Sequence, residues 1–172
     1  MALQQKPGVQ ERILLHLLDY SDFKSSVEVP FALSQMGIAN AVAIARSNVP
    51  RAIAGLKDEG LLIERQAHVS GVSRKRKAYF LTDSGINVSE DTWLRLRDFE
   101  LRSIMDDGAI IHSTLGELND HLNFSMRPVD IIRYMDENCV LDTRTLSADL
   151  VERDLSKHVE KQLVTSLGDL PR

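Results

Sequence analysis

Two short stretches hold the side chains best suited to meeting a charged partner. Arg46, Ser47, Asn48 and Arg51 open the segment RSNVPRAIAGLKDEG, Lys57 lies near its end, and Arg74, Lys75, Arg76 and Lys77 form the run in SGVSRKRK. A guanidinium fork matches the paired acceptors of guanine and a carboxamide matches the donor and acceptor of adenine, so Arg51 and Asn48 are candidates for reading base edges. Arg46, Ser47 and the basic run are candidates for phosphate contacts, which need positive charge or a hydroxyl and carry no sequence information. Plainer readings stand beside these. Asn48 also suits a helix cap, which uses its side chain. Arg51 also suits a surface position beside Asp58 or Glu59, and four basic residues in a loop also suit an ordinary solvated turn.

Other reactive groups form no constellation. The histidines His16, His68, His112, His121 and His158 are scattered. Glu117 and His121 share the i, i+4 spacing of two ligands on a helix, but a zinc site needs more donors, and none lies nearby in sequence. No metal and no cofactor are expected. Asp106-Asp107 beside Gly108 reads as a linker that caps the next helix. No nucleophile turn accompanies a Ser-His-Asp set, and no Gly-rich loop follows a strand, so no catalytic residues and no enzymatic activity are expected. Cys139, the only cysteine, cannot form a disulfide within the chain and reads as a small buried hydrophobe, which fits a reducing cytosol.

The charge is unevenly spread. The 172 residues carry a net −4. Residues 46–81 hold 8 basic and 3 acidic side chains, whereas residues 82–172 hold 10 basic and 18 acidic ones. An anionic polymer meets local potential more than net charge, so the basic segment is the part suited to it. No apolar run approaches the ~20 residues that span a bilayer, and the N-terminus lacks a signal-peptide pattern. A soluble, cytoplasmic chain without a membrane partner is expected.

The elements that must position these residues follow from periodicity and capping. Val9, Ile13, Leu14, Leu17 and Leu18 predict a helix over residues 8–19. Ser34 caps a second, over 35–44. A third runs from about Ser47 to Glu59, with Val49, Ile53 and Leu56 inward, Asn48, Arg51, Gly55 and Lys57 outward, and Gly60 as a left-handed stop. Pro50 falls in its first turn, where a missing N–H costs little. As a pre-proline residue, Val49 is biased toward extended geometry, which leaves the cap at Ser47, Asn48 or Val49. Strands are predicted at 61–65 and 77–81, joined by the basic turn. Thr82 then caps a helical stretch reaching Met105, whose first part, to about Glu90, also reads as a separate turn. Ile111, Leu115, Leu118 and Leu122 predict a helix over 109–123. Arg127-Pro128 opens another, ending near Asn138, Val140-Leu141 is a connection, and a last helix runs from Leu146 to about Leu167.

Three helices followed by two strands around a basic turn is the order of a winged helix-turn-helix. The string FALSQMGIANAVAIARSNVPRAIAGLKDEGLLIERQAHVSGVSRKRKAYFLTDSG resembles the winged-helix domains of archaeal transcriptional regulators of the MarR-like type, most specifically in SNVPRAI, LKDEGLL and RKRKAYFLT. The likeness spans about Val9 to Gly85. It implies double-stranded DNA binding by Asn48, Arg51 and the wing, usually as a homodimer. Some relatives attach this module to a large ATPase; no phosphate-loop pattern occurs here, and that activity is not carried over.

The expectation is a mainly α protein with a small two-stranded β-wing. It comprises a winged helix-turn-helix DNA-binding domain over 1–90 and a helical dimerisation or regulatory region over 91–172. The recognition helix, 47–59, would enter the major groove, and the wing, 70–77, would meet the backbone or minor groove. Ile111, Leu115, Leu118, Leu122, Leu155, Val159 and Leu163 are the candidate dimerisation residues. A small-molecule or protein effector is left open. The alternative is a winged-helix module that docks an acidic protein partner without binding DNA.

Overall fold

The computed structural model describes residues 5–146. The expected last helix, with Leu155, Val159 and Leu163, lies outside the described residues.

The first half follows the order read from the sequence. Helix α1 (Val9–Leu18) buries Ile13, Leu14 and Leu17, and α2 (Gln35–Val42) starts where the Ser34 hydroxyl accepts a hydrogen bond from the Gly37 N–H at 3.1 Å. Gly37 is required there: a Cβ would fall 2.1 Å from the Phe31 carbonyl oxygen. Helix α3 (Val49–Asp58) buries Val49, Ile53 and Leu56 and ends before Gly60, whose φ of 73° is the left-handed stop. Strands β2 (Leu62–Val69) and β3 (Arg76–Leu81) pair antiparallel, with Glu64 opposite Tyr79 and Ala67 opposite Arg76. A further strand, β1 (Glu28–Val29), adds parallel to β2 through the register Glu28–His68 and Val29–Val69. The wing is therefore one hairpin of a three-stranded sheet, not a free two-stranded ribbon. These elements share one core, in which Ile38, Val42, Ala78 and Phe80 meet the inward faces of α1 and α3.

The second half departs from the expected helices. Helix α4 (Asp83–Leu96) is continuous from its Thr82 cap, so no separate turn precedes Glu90, and it ends nine residues before Met105. Residue 90, the expected domain boundary, lies inside it. Strand β4 (Glu100–Ile104) then pairs antiparallel with β5 (Ile110–Thr114), replacing both the end of one expected helix and the start of the expected 109–123 helix. Asp106-Asp107-Gly108 is the hairpin turn, not an interdomain linker. The Gly108 N–H donates to the Met105 carbonyl, the Met105 N–H to the Ala109 carbonyl, and Gly108 has φ 83°. This is a type I turn closed by a left-handed glycine, a favoured three-residue hairpin connection. Only Leu118–His121 (α5) remains helical from the expected segment. Helix α6 (Pro128–Tyr134) is as predicted at its start but stops four residues before Asn138. The Val140-Leu141 connection is strand β6 (Val140–Asp142), parallel to β4. The second sheet has the order β5-β4-β6, so the fold mixes helices with two small sheets instead of being mainly α.

The two halves interlock. Leu15 of α1 packs in the second core with Leu96, Phe99, Leu101, Ile131, Ile132 and Leu141, whereas Val129 of α6 packs in the first. Between the cores His16 is 1% exposed. Its Nε2 lies 2.8 Å from the Ala32 carbonyl oxygen and its Nδ1 2.8 Å from an Arg127 amine. Since the carbonyl can only accept and the guanidinium can only donate, the imidazole is neutral with its proton on Nε2. Arg127 also bonds Asp19 at 2.7 Å and stacks over the Tyr20 ring, fastening the start of α6 to the end of α1. Burial, opposed by the Ala32 hydrogen bond and helped by Arg127, lowers the His16 pKa to about 4.

Candidate nucleic-acid interface

The leading end of α3 is built by a run of tight turns. Ala43 takes a left-handed conformation that closes α2, and a 3-10 turn, Arg46–Asn48, runs directly into α3. Asn48 is the capping residue, with Pro50 at the second helical position. Val49 has helical angles of −60° and −46° in spite of the proline that follows, so the extended bias does not prevail here. Its side chain is fully buried, and core packing holds the conformation. The proline lacks only an N–H that would have had no intrahelical partner. The Asn48 side chain makes no capping hydrogen bond, which leaves its carboxamide free of the use that competed for it in the sequence.

Arg46, Ser47, Asn48, Arg51 and Lys57 are all exposed. Among the described residues the side chains of the first four have no hydrogen-bond or ion-pair partner. Gly55, expected outward, instead lies beneath α1: a Cβ there would come 2.7 Å from the Gln10 amide nitrogen. The outward row is therefore Arg46, Ser47, Asn48 and Arg51, with Lys57 a turn and a half beyond.

Lys57 and Lys77 differ from the other basic candidates. Both pair with Glu64 on β2, at 3.3 Å and 3.1 Å. The Lys77 hydrogen bond, and then that of Lys57, lowers the Glu64 pKa, and Glu64 in turn raises that of Lys77. Such half-exposed pairs contribute little stability. What they do is geometric, since Glu64 ties the end of α3 to the base of the wing and shares its single negative charge between the two lysines. Arg74, Lys75 and Arg76 stay exposed around the wing turn, where Gly71 has φ 79°.

Two further residues, Glu64 and Arg65, belong to this surface and were not singled out in the sequence. Arg65 donates to the carbonyls of Lys24 at 3.1 Å and Ser26 at 2.6 Å and lies over the Phe80 ring, so it is spent on holding the loop before β1. That loop and the wing enclose an open cleft of about 400 Å³, lined by Lys24, Ser26, Gln66, His68 and Lys75. Glu64 and Arg65 carry no local signal, because their partners lie 7 to 41 residues away.

The remaining expected residues fall elsewhere. Leu115 and Leu118 are buried in the chain's own second core, Leu122 packs against its edge, and Ile111 is half-buried in β5. Among the described residues no three His, Cys, Asp or Glu side chains gather as a metal site, and no helix is long and apolar enough to cross a membrane.

Comparison with protein families finds no match, and comparison with curated proteins finds none either. Solved structures similar over about half the chain include MepR, a transcription regulator of the Staphylococcus aureus multidrug efflux pump MepA. It is 22% identical over 51% of this chain and 56% of that one, with a TM-score of 0.40. A ZitR double mutant from Lactococcus lactis, in apo form, is 21% identical over 51% of this chain and 55% of its own, with a TM-score of 0.38. The chain thus spans little more than half the length of either.

Proposed function

We propose that the chain is a sequence-specific double-stranded DNA-binding transcription regulator that acts as a homodimer. In this reading α3 lies in the major groove and the wing lies on the backbone or in the minor groove. One observation carries it. Four exposed polar side chains without partners among the described residues, Arg46, Ser47, Asn48 and Arg51, crowd the leading end of a helix whose opposite side is fully packed. The leading residues of a recognition helix are the ones that reach base edges. Asn48 and Arg51 then read bases, while Arg46, Ser47, Arg74, Lys75 and Arg76 hold phosphates. Lys57 and Lys77 reach phosphate only by leaving Glu64, so their share is smaller.

Operator length supports a second copy: one helix reads a few base pairs, and two half-sites about one helical turn apart give the usual site. Duplex binding measured by fluorescence anisotropy over a range of salt, with sizing of the complex, tests the reading. Affinity that falls linearly on a log–log plot, in a complex of two chains per duplex, is expected. Absence of binding to any duplex at low salt overturns it.

A further inference from the structure

The exposed face of the second sheet holds an open cleft of about 640 Å³, within the range of about 300–1,000 Å³ typical of small-ligand sites. Its floor is β4 and its walls are the end of β5 and the turn before β6. Strand alternation and register fix which side chains share this face: Arg102 stands directly opposite His112, and Glu100 directly opposite Thr114. Glu137 lines the cleft from the turn. Cys139, which also lines it, is held with φ 58°, and its backbone carbonyl accepts a hydrogen bond from the Arg102 N–H at 3.1 Å.

One feature sets this cleft apart from an ordinary charged surface. Glu100 and Arg102 lie two residues apart on one strand face, ~7 Å along the chain, yet they form no ion pair with each other or with any other described residue. An unpaired carboxylate and an unpaired guanidinium are thus held side by side across an open space.

We infer that this cleft binds a free α-amino acid. The ligand's carboxylate meets the guanidinium of Arg102, assisted by His112, and its ammonium meets Glu100 and Glu137. A simple anion fits poorly, because the carboxylates around the cleft outnumber its one guanidinium. A simple cation leaves Arg102 unanswered. A molecule with both charges on one carbon satisfies both groups, and the cleft volume leaves room for a side chain. The site is distinct from α3 and the wing, and the inference does not depend on DNA being their partner.

Calorimetric titration of the full chain with a panel of free L-amino acids, each paired with its N-acetyl and its carboxamide form, tests it. At least one free amino acid should bind at millimolar concentration or below, and blocking either end should weaken binding about ten- to a hundredfold, the worth of one charged hydrogen bond. Arg102→Gln should abolish the difference between acid and carboxamide, and Glu100→Gln the difference between amine and N-acetyl. Both positions are exposed, and unchanged melting of each variant establishes that the fold is intact. Absence of binding by every free amino acid, or binding that is indifferent to both blocking groups or to both variants, overturns the inference.

Discussion

The His16–Arg127 junction makes stability depend on pH in a window where few other groups titrate. In the unfolded chain a histidine protonates near pH 6.5, whereas buried His16 resists protonation until about pH 4. The folded state therefore binds fewer protons than the unfolded state between these values. The stabilisation is fully present above pH 6.5 and is lost as pH falls toward 4. The linkage relation gives a loss of about 2 kcal/mol at pH 5 and about 3 kcal/mol near pH 4, as an upper limit for this one group. Protonation would place an N–H on Nδ1 against the Arg127 amine 2.8 Å away, so the hydrogen bond reverses into a repulsion. The assay is denaturant unfolding at a series of pH values for the natural chain and for His16→Gln, whose carboxamide can donate to Ala32 and accept from Arg127. The variant should be less stable at pH 7.5 yet show a flatter profile down to pH 5. Glu64 and Asp142, whose pKa values are also lowered, contribute equally to both proteins. Parallel profiles would refute the reasoning, as would an imidazole that titrates near 6.5 by NMR.

Two further perturbations follow from the geometry. Glu64→Gln frees Lys57 and Lys77 and adds one positive charge to the proposed DNA face. Binding at low salt should tighten, and the salt slope should steepen by about one to two phosphate contacts, read by anisotropy across salt. Gly55→Ala and Gly85→Ala should differ sharply in urea denaturation. At Gly55 the new methyl meets only the movable end of Gln10, and the gain in helix propensity leaves stability level or raised by up to about 1 kcal/mol. At Gly85 it falls 2.0 Å from the Leu61 carbonyl oxygen, where backbone must shift, and a loss of about 1–3 kcal/mol is expected.

The parts of the fold that were legible in the sequence are those specified locally. Ser34 and Thr82 each accept a hydrogen bond from the N–H three residues on, and Gly60 stops α3, all within a turn of chain. Between 100 and 123 the sequence misled, because the apolar spacing of Ile111, Leu115, Leu118 and Leu122 satisfies a helix equally well. In the fold, Ile111 is in a strand, Leu115 follows it, and only Leu118 is helical. The competing signal was Asp106-Asp107-Gly108, a hairpin turn that also reads as a linker. Strands β1 and β6 are two and three residues long and exist through parallel pairing with distant strands, which no local pattern encodes. The same holds for the site. Exposed Asn48 and Arg51 were legible from the helix period, but the Glu64 pairs and the Arg127–His16 bond, which spans 111 residues, are products of the tertiary fold.

The central claim is that Asn48 and Arg51 read bases while the wing holds phosphates. Selection of bound duplexes from a random library, run in parallel with the natural chain, Arg51→Ala and Arg76→Ala, tests it most directly. The natural chain should enrich a defined motif. Arg51→Ala should lose preference at one position, at a cost of about 1–3 kcal/mol for the best site. Arg76→Ala should keep the motif, bind all sequences more weakly, and lower the salt slope by about one. Enrichment of no motif by the natural chain, or an unchanged motif with Arg51→Ala, would contradict the account.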